Sequence, residues 1–66
     1  MSIRTAGQIF KEARLKKGLT QVELAKKAGL YPNTYALIER GLQKPTFATV
    51  KKLAKALDID ISDIPA

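Results

Sequence analysis

Apolar residues recur at helical spacing along most of this chain, and the recurrence breaks at glycine and proline. Ala6, Ile9, Phe10 and Ala13 follow an i, i+3, i+4, i+7 pattern that puts four apolar groups on one helix face. Thr5 stands where a cap is needed, and the spacing predicts a first helix of about a dozen residues running to Lys17, ended by Gly18. Lys11, Lys16 and Lys17 fall away from the apolar face, and the last two suit the negative end of the helix dipole. Leu15 lies off the stripe. Ile3 and Arg4 read as a short extended lead-in.

The stretch TQVELAKKAGLYPNTYALIERG, Thr20 to Gly41, reads as two short helices and a tight turn. Thr20 and Glu23 have capping-box spacing, and Leu19 and Leu24 are placed to form a hydrophobic staple across the helix start. Val22, Leu24, Ala25 and Ala28 are predicted to face the core, with Lys26 and Lys27 toward water or phosphate. Gly29 can take the left-handed conformation that stops this helix, Leu30 is an apolar pin, and Pro32 is pre-set for the first position of the next helix. That third helix is predicted from Pro32 to Glu39 or Arg40, with Tyr35 and Ile38 inward and Leu30 stapled to Tyr35. Asn33 and Leu37 are left on the outward face, flanked by Pro32 and Ala36, with Arg40 one turn on. Two helices of about eight residues are too short to stand alone, so the rest of the chain must hold them.

Beyond Gly41, the loop LQKP carries a turn-forming Pro45 and one cation, Lys44. Thr46 can cap a fourth helix to about Leu57, with Phe47, Val50, Leu53, Ala54 and Leu57 as its apolar stripe and Lys51, Lys52 and Lys55 as a solvated face. After a break at Asp58, Asp60 can cap a single turn, ISDI, before Pro65. The pattern predicts five helices and no strand, an all-α chain with a single domain over residues 1–66.

Composition narrows the chemistry. With 66 residues the chain is near the lower limit for folding without a staple, and it has neither cysteine nor histidine. Disulfides, zinc-ribbon or zinc-finger ligand sets, a thiol nucleophile and an imidazole base are therefore excluded. Twelve Lys and Arg against six Asp and Glu give a formal charge of +6, and the pI is about 9.9. Such a surplus attracts polyanions, by counterion release where the polyanion is a duplex. No apolar run exceeds four residues, far short of the roughly twenty that span a bilayer. The start, MSIRTAGQIF, lacks the apolar core of a signal peptide, and a cytoplasmic protein is expected.

Thr20, Gln21, Glu23, Leu24, Ala25, Gly29, Leu30, Thr34, Ile38, Glu39, Arg40 and Gly41 together resemble the helix-turn-helix signature of phage repressors and Cro-type regulators, the xenobiotic-response-element family of bacterial transcription factors. The resemblance covers nearly the whole chain. It implies a lambda-repressor-like DNA-binding domain whose helix-turn-helix unit, at about residues 20–41, is formed by helices two and three. It also implies a regulator of transcription that docks the third helix in the major groove of double-stranded DNA. By the same resemblance Pro32, Asn33 and Leu37 are base-facing, with Tyr31 and Thr34 flanking them. Gln21 would bond a phosphate and brace helix three, and Lys44 would contact the backbone, with Arg40 a further candidate. Arg14 would pair with Glu39 across helices one and three, tying the recognition helix to the body. Two departures stand out. Tyr31 replaces a capping serine and Ala36 a frequent serine, which leaves the recognition surface unusually apolar.

On chemistry alone, Asn33 can bond an adenine edge in bidentate fashion and Leu37 can touch a thymine methyl. Asp58, Asp60 and Asp63 lack the glycine and distal glutamate of a calcium loop and read as caps. No phosphate-cradling glycine loop, nucleophile elbow or acid-base carboxylate pair is present, so neither an enzyme nor a cofactor is expected. Self-association is expected to be weak, using Leu42, Ile59, Ile61 and Ile64. The rival reading is a protein-interaction domain on the same scaffold, a coactivator bridge or antitoxin-like binder, docking through Tyr31, Pro32, Tyr35, Ala36 and Leu37.

Overall fold

Three threonines start three of the helices. The side-chain oxygens of Thr5, Thr20 and Thr46 accept hydrogen bonds from the backbone N–H groups of Gln8, Glu23 and Thr49, at 3.2, 3.0 and 3.2 Å. At the first two the bond is returned, since Gln8 Oε1 and Glu23 Oε1 each accept from the cap residue's own N–H at 2.9 Å. Each box satisfies two donors that would otherwise be orphaned at a helix start. The bonds from Thr20 also hold the Glu23 carboxyl below its ordinary pKa.

The computed structural model describes residues 4–65, so the Ile3 part of the predicted lead-in lies outside the described residues. The helices are α1 (Ala6–Lys16), α2 (Gln21–Ala28), α3 (Pro32–Glu39) and α4 (Phe47–Leu57), and no strand occurs among the described residues. Where a fifth helix is predicted there is one 3-10 turn, Ile61–Asp63, capped by the Asp60 side chain on Ser62 N–H at 2.9 Å. All four α-helices close in one way. A residue in left-handed conformation is followed by an apolar residue whose N–H reaches the carbonyl five positions back: Leu19 to Arg14, Leu30 to Ala25, Leu42 to Leu37 and Ile59 to Ala54. The apolar residue is thereby fixed beside the helix it follows. Leu19, Leu30 and Ile59 all pack against the core.

That core is built from Phe10, Leu24, Ala25, Tyr35, Ile38, Leu53 and Leu57, with Ala28 and Ala56 completing it. Every α-helix contributes, and no pair of them could bury this surface by itself. Two predicted core positions face solvent instead, Val22 at 58% and Phe47 at 69% exposure. Both lie in a first helical turn, and each sits roughly 100° around its helix from the buried stripe. On α4 the buried residues are Leu53, Ala54, Ala56 and Leu57, while Lys51 Nζ rests 5.6 Å from the Phe47 ring centre.

Helix α1 shows a larger correction. Its buried residues are Gly7, Phe10 and Arg14, a face rotated by roughly 80° from the apolar stripe of Ala6, Ile9, Phe10 and Ala13. Ala6 and Ala13 still pack at its margin, Ile9 is only half-buried, and Leu15 is exposed. Two contacts with α3 account for the rotation. A Cβ on Gly7 would lie 2.4 Å from the Ile38 carbonyl oxygen and 2.6 Å from that of Glu39, so only glycine lets the two backbones approach this closely. One helical stretch along, Arg14 Nε donates to Glu39 Oε2 and a terminal nitrogen to Glu39 Oε1, both at 3.0 Å.

A third Arg14 bond, 2.8 Å to the Leu19 carbonyl, reaches the α1–α2 connection. Arg14 and Glu39 are each 8% exposed. Burial acts to raise the Glu39 pKa, but the hydrogen bonds from Arg14, with help from Tyr35 and Gln21, win, and the carboxyl titrates below its ordinary value. The Arg14 guanidinium is pushed up in turn, chiefly by its hydrogen bonds to Glu39. The Tyr35 hydroxyl is buried beside this pair without a hydrogen bond of good geometry, and burial followed by the nearby Glu39 carboxylate raises its pKa.

Gly7→Ala gains about 1 kcal/mol of helix propensity, but it meets backbone on α3, and crowding of that kind costs about 1–3 kcal/mol. A net fall in Tm is expected, readable by thermal circular dichroism; an unchanged or raised Tm would mean that α1 and α3 part without cost. Glu39 supplies stability that is fully present above the ordinary carboxyl pKa of 4.5 and is lost as pH falls through its lowered folded value. Denaturant titrations from pH 7 to pH 2 should show Glu39→Gln destabilised by about 3 kcal/mol at neutrality and with a shallower acid limb than the parent. A residual slope is expected, because Glu23, Asp58 and Asp60 are also lowered. Parallel acid limbs in the two proteins would show that Glu39 does not contribute as a carboxylate.

Candidate nucleic-acid interface

Between Ala28 and Pro32 the chain turns in three residues. Gly29, at φ +73°, supplies the left-handed step, and the Leu30 N–H closes on the Ala25 carbonyl at 2.8 Å. Leu30 is tucked against the core, which leaves Tyr31 as the outer corner of the turn at 82% exposure. Tyr31 makes no side-chain cap to α3, and Pro32 removes one donor by occupying the first helical position. The start of α3 is therefore held by the turn and by core packing of Tyr35 and Ile38.

The outward face of α3 follows from that packing. Asn33, Leu37 and Arg40 are exposed at i, i+4 and i+7, with Pro32 also exposed and Thr34 and Ala36 half-buried beside them. Asn33 makes no side-chain hydrogen bond among the described residues, and Arg40 and Lys44 belong to none of the three ion pairs there. Within residues 29–46 the only carboxylate is Glu39, which Arg14 neutralises. The cations of this stretch, Arg40 and Lys44, therefore face no free acid within it.

Gln21 opens α2 and is half-buried. Its Nε2 donates to Glu39 Oε1 at 3.2 Å, so the first residue of α2 is braced to the last residue of α3 through the same carboxylate that Arg14 holds. Lys44 is positioned by the loop that follows α3. The N–H groups of Leu42 and Gln43 both donate to the Leu37 carbonyl, at 2.9 and 3.3 Å, folding the loop back over the last turn of the helix. Pro32, Asn33, Thr34 and Leu37 therefore share one helix, flanked by its two cap residues Tyr31 and Arg40, with Gln21 tied to its end by a hydrogen bond and Lys44 extending from its closing loop.

Beyond α4, two aspartates have structural partners. Asp58 accepts from Lys17 Nζ at 2.9 Å, which lowers the Asp58 pKa, and Asp60 caps the 3-10 turn. No group of three or more metal-ligating side chains is brought together among the described residues. Lys51, Lys52 and Lys55 are exposed on α4, apart from the α3 sequence. Two residues outside the predicted set have signals in the sequence: Gly7, since a glycine inside an apolar helical pattern is a sign of close backbone approach, and Gln8, whose spacing from Thr5 completes a capping box.

A family model described as helix-turn-helix matches residues 10–64. The immunity repressor protein of Bacillus phage phi105 is 43% identical over 60 residues, covering 91% of this chain and 42% of that one. Among solved structures, the restriction-modification controller protein C.AhdI from Aeromonas hydrophila superposes with a TM-score of 0.84 at 38% identity, over 88% of each chain. The biofilm master regulator SinR, in its complex with DNA, superposes with a TM-score of 0.84 at 36% identity, over 88% of this chain and 94% of that one. The chain spans about half the length of the first phage repressors it matches, 42% and 50% of them. With four-fifths of its residues inside the family match, this chain belongs to the helix-turn-helix family of phage-repressor and Cro-type regulators.

Proposed function

We propose that this protein binds double-stranded DNA sequence-specifically and regulates transcription, in the manner of a repressor. In this reading residues 1–66 form one domain, and α2 and α3 are its helix-turn-helix unit, at about residues 20–41, in a five-element lambda-repressor-like fold that counts the 3-10 turn as the fifth. The observation that carries the reading is the outward face of α3: a neutral and cationic surface, free of acid, held to α1 and α2 through one buried carboxylate. A relative of the same fold, SinR, has been solved with DNA.

Each candidate residue then has a role. Helix α3 enters the major groove with Asn33 on an adenine edge, Tyr31, Pro32, Thr34 and Leu37 around it, and Arg40 toward the flanking backbone. Gln21, at the amino end of α2 where the dipole favours anions, approaches a phosphate while it braces Glu39. Lys44 holds a second phosphate. The protein acts as a binding module without enzymatic activity or cofactor, in the cytoplasm, where such a regulator meets its DNA; no described helix is long and apolar enough to cross a membrane. Weak two-fold pairing on DNA uses the apolar surface at Leu42 and Ile61, which are exposed, whereas Ile59 and Ile64 pack against the core. The protein-docking alternative is the weaker reading, because Tyr35, one of the five residues of its apolar patch, is fully buried.

Fluorescence anisotropy with a labelled duplex, repeated across salt concentrations, tests this reading. Neutralisation of about five phosphates predicts a log-log slope of roughly −4 to −5. Lys44→Ala should weaken binding to all sequences alike and make the slope shallower by about one, whereas Asn33→Ala should cost about 1–3 kcal/mol on a selected site and nothing on random duplex. Binding that barely responds to salt, or the absence of binding at low salt, would transfer the function to a protein partner.

A further inference from the structure

We propose that the outward face of α3 selects DNA by the C5 methyl groups of pyrimidines in the major groove, thymine foremost. The inference rests on the DNA-binding reading above and names what that site takes. Hydrogen-bonding capacity is scarce on this face. Asn33 and the hydroxyl at the tip of Tyr31 are its exposed neutral hydrogen-bonding groups, Thr34 is half-buried, and Arg40 lies at the far end of the helix. Pro32 cannot donate from its backbone.

Apolar surface takes the remaining positions. Leu37 is 36% exposed one turn beyond Asn33 on the same face, and Tyr31 stands 82% exposed at the amino end with no capping bond to occupy it. An exposed leucine is ordinary in itself; this one is aligned with Asn33, four residues before it on the same face. Of the four bases only thymine offers a methyl in the major groove, and 5-methylcytosine presents the same group. Four residues of helix span about 6 Å, and bases stack about 3.4 Å apart along a strand. Leu37 therefore meets a methyl within one or two base pairs of the adenine bonded by Asn33. Such contacts are short-ranged and apolar, so they discriminate among sequences without adding to the salt dependence that phosphate contacts create.

The test changes the DNA and leaves the protein intact. Three duplex pools share flanks and a randomised centre: one with ordinary bases, one with deoxyuridine in place of thymidine, and one with deoxyuridine together with 5-methylcytosine in place of cytosine. The best binder selected from the first pool should carry thymine one or two base pairs from an adenine. Replacing each such thymine by deoxyuridine should cost about fourfold in affinity per methyl. Leu37→Ala, and separately Tyr31→Ser, each checked for an unchanged Tm, should shrink that ratio, while Lys44→Ala weakens both duplexes and keeps it. Tight binders from the third pool would assign the reading to the methyl on either base; a fourfold ratio without them assigns it to thymine. A ratio near one in a complex that remains sequence-selective overturns methyl reading and leaves DNA binding standing. Loss of all sequence-selective, salt-dependent binding overturns both.

Discussion

The ion pair of Arg14 and Glu39 is the constraint on which the rest of this structure depends. Through it α1 fixes the carboxyl end of α3, the connection at Leu19 is drawn onto the same guanidinium, and Gln21 ties the start of α2 to the same carboxylate. A buried pair of this kind adds little net stability compared with apolar residues of equal volume, since both charges lose their water. Its effect is on geometry. Two planar groups joined by parallel hydrogen bonds accept only a narrow range of positions, so α3 is fixed against α1 in rotation as well as distance. Gly7 acts in the same sense from the backbone side, by allowing the contact that brings Glu39 within reach.

Short helices need this kind of definition. Eight residues of α2 and eight of α3 have too little propensity to persist alone, and the capping box at Thr20 and the six-residue closures at each helix end satisfy the backbone without asking more of the core. The one uncapped start is that of α3. Its freedom from side-chain caps leaves Tyr31 outward, at the place where the helix is proposed to meet base edges, and its stability comes from Tyr35 and Ile38 behind it. The surface proposed to do the reading is thus carried on a helix held by the core packing of its opposite face.

Much of this is legible in the sequence because caps and breaks are local. Thr5, Thr20 and Thr46 predict their helix starts, Gly18, Gly29 and Gly41 the ends, and the placement of Asn33 and Leu37 on an outward face follows once Tyr35 and Ile38 are assigned inward. Periodicity was less informative where packing partners decide the face. The α1 stripe points elsewhere than the helix does, because a glycine without hydrophobic character and a charged arginine make the closest contacts with α3. Val22 and Phe47 are apolar but exposed, because each sits roughly 100° around its helix from the buried stripe. The pairing of Arg14 with Glu39, 25 residues apart, comes from family resemblance, since no local rule joins them.

The most direct test of the central claim, that α3 held in this way is the surface that meets DNA, is an amide chemical-shift titration of labelled protein with a mixed-sequence duplex, at low and then physiological salt. The account predicts shifts gathered on Gln21, Asn33, Thr34, Leu37 and Lys44 that fade as salt is raised. Diffuse shifts on Lys51, Lys52 and Lys55, or none at low salt, would contradict it.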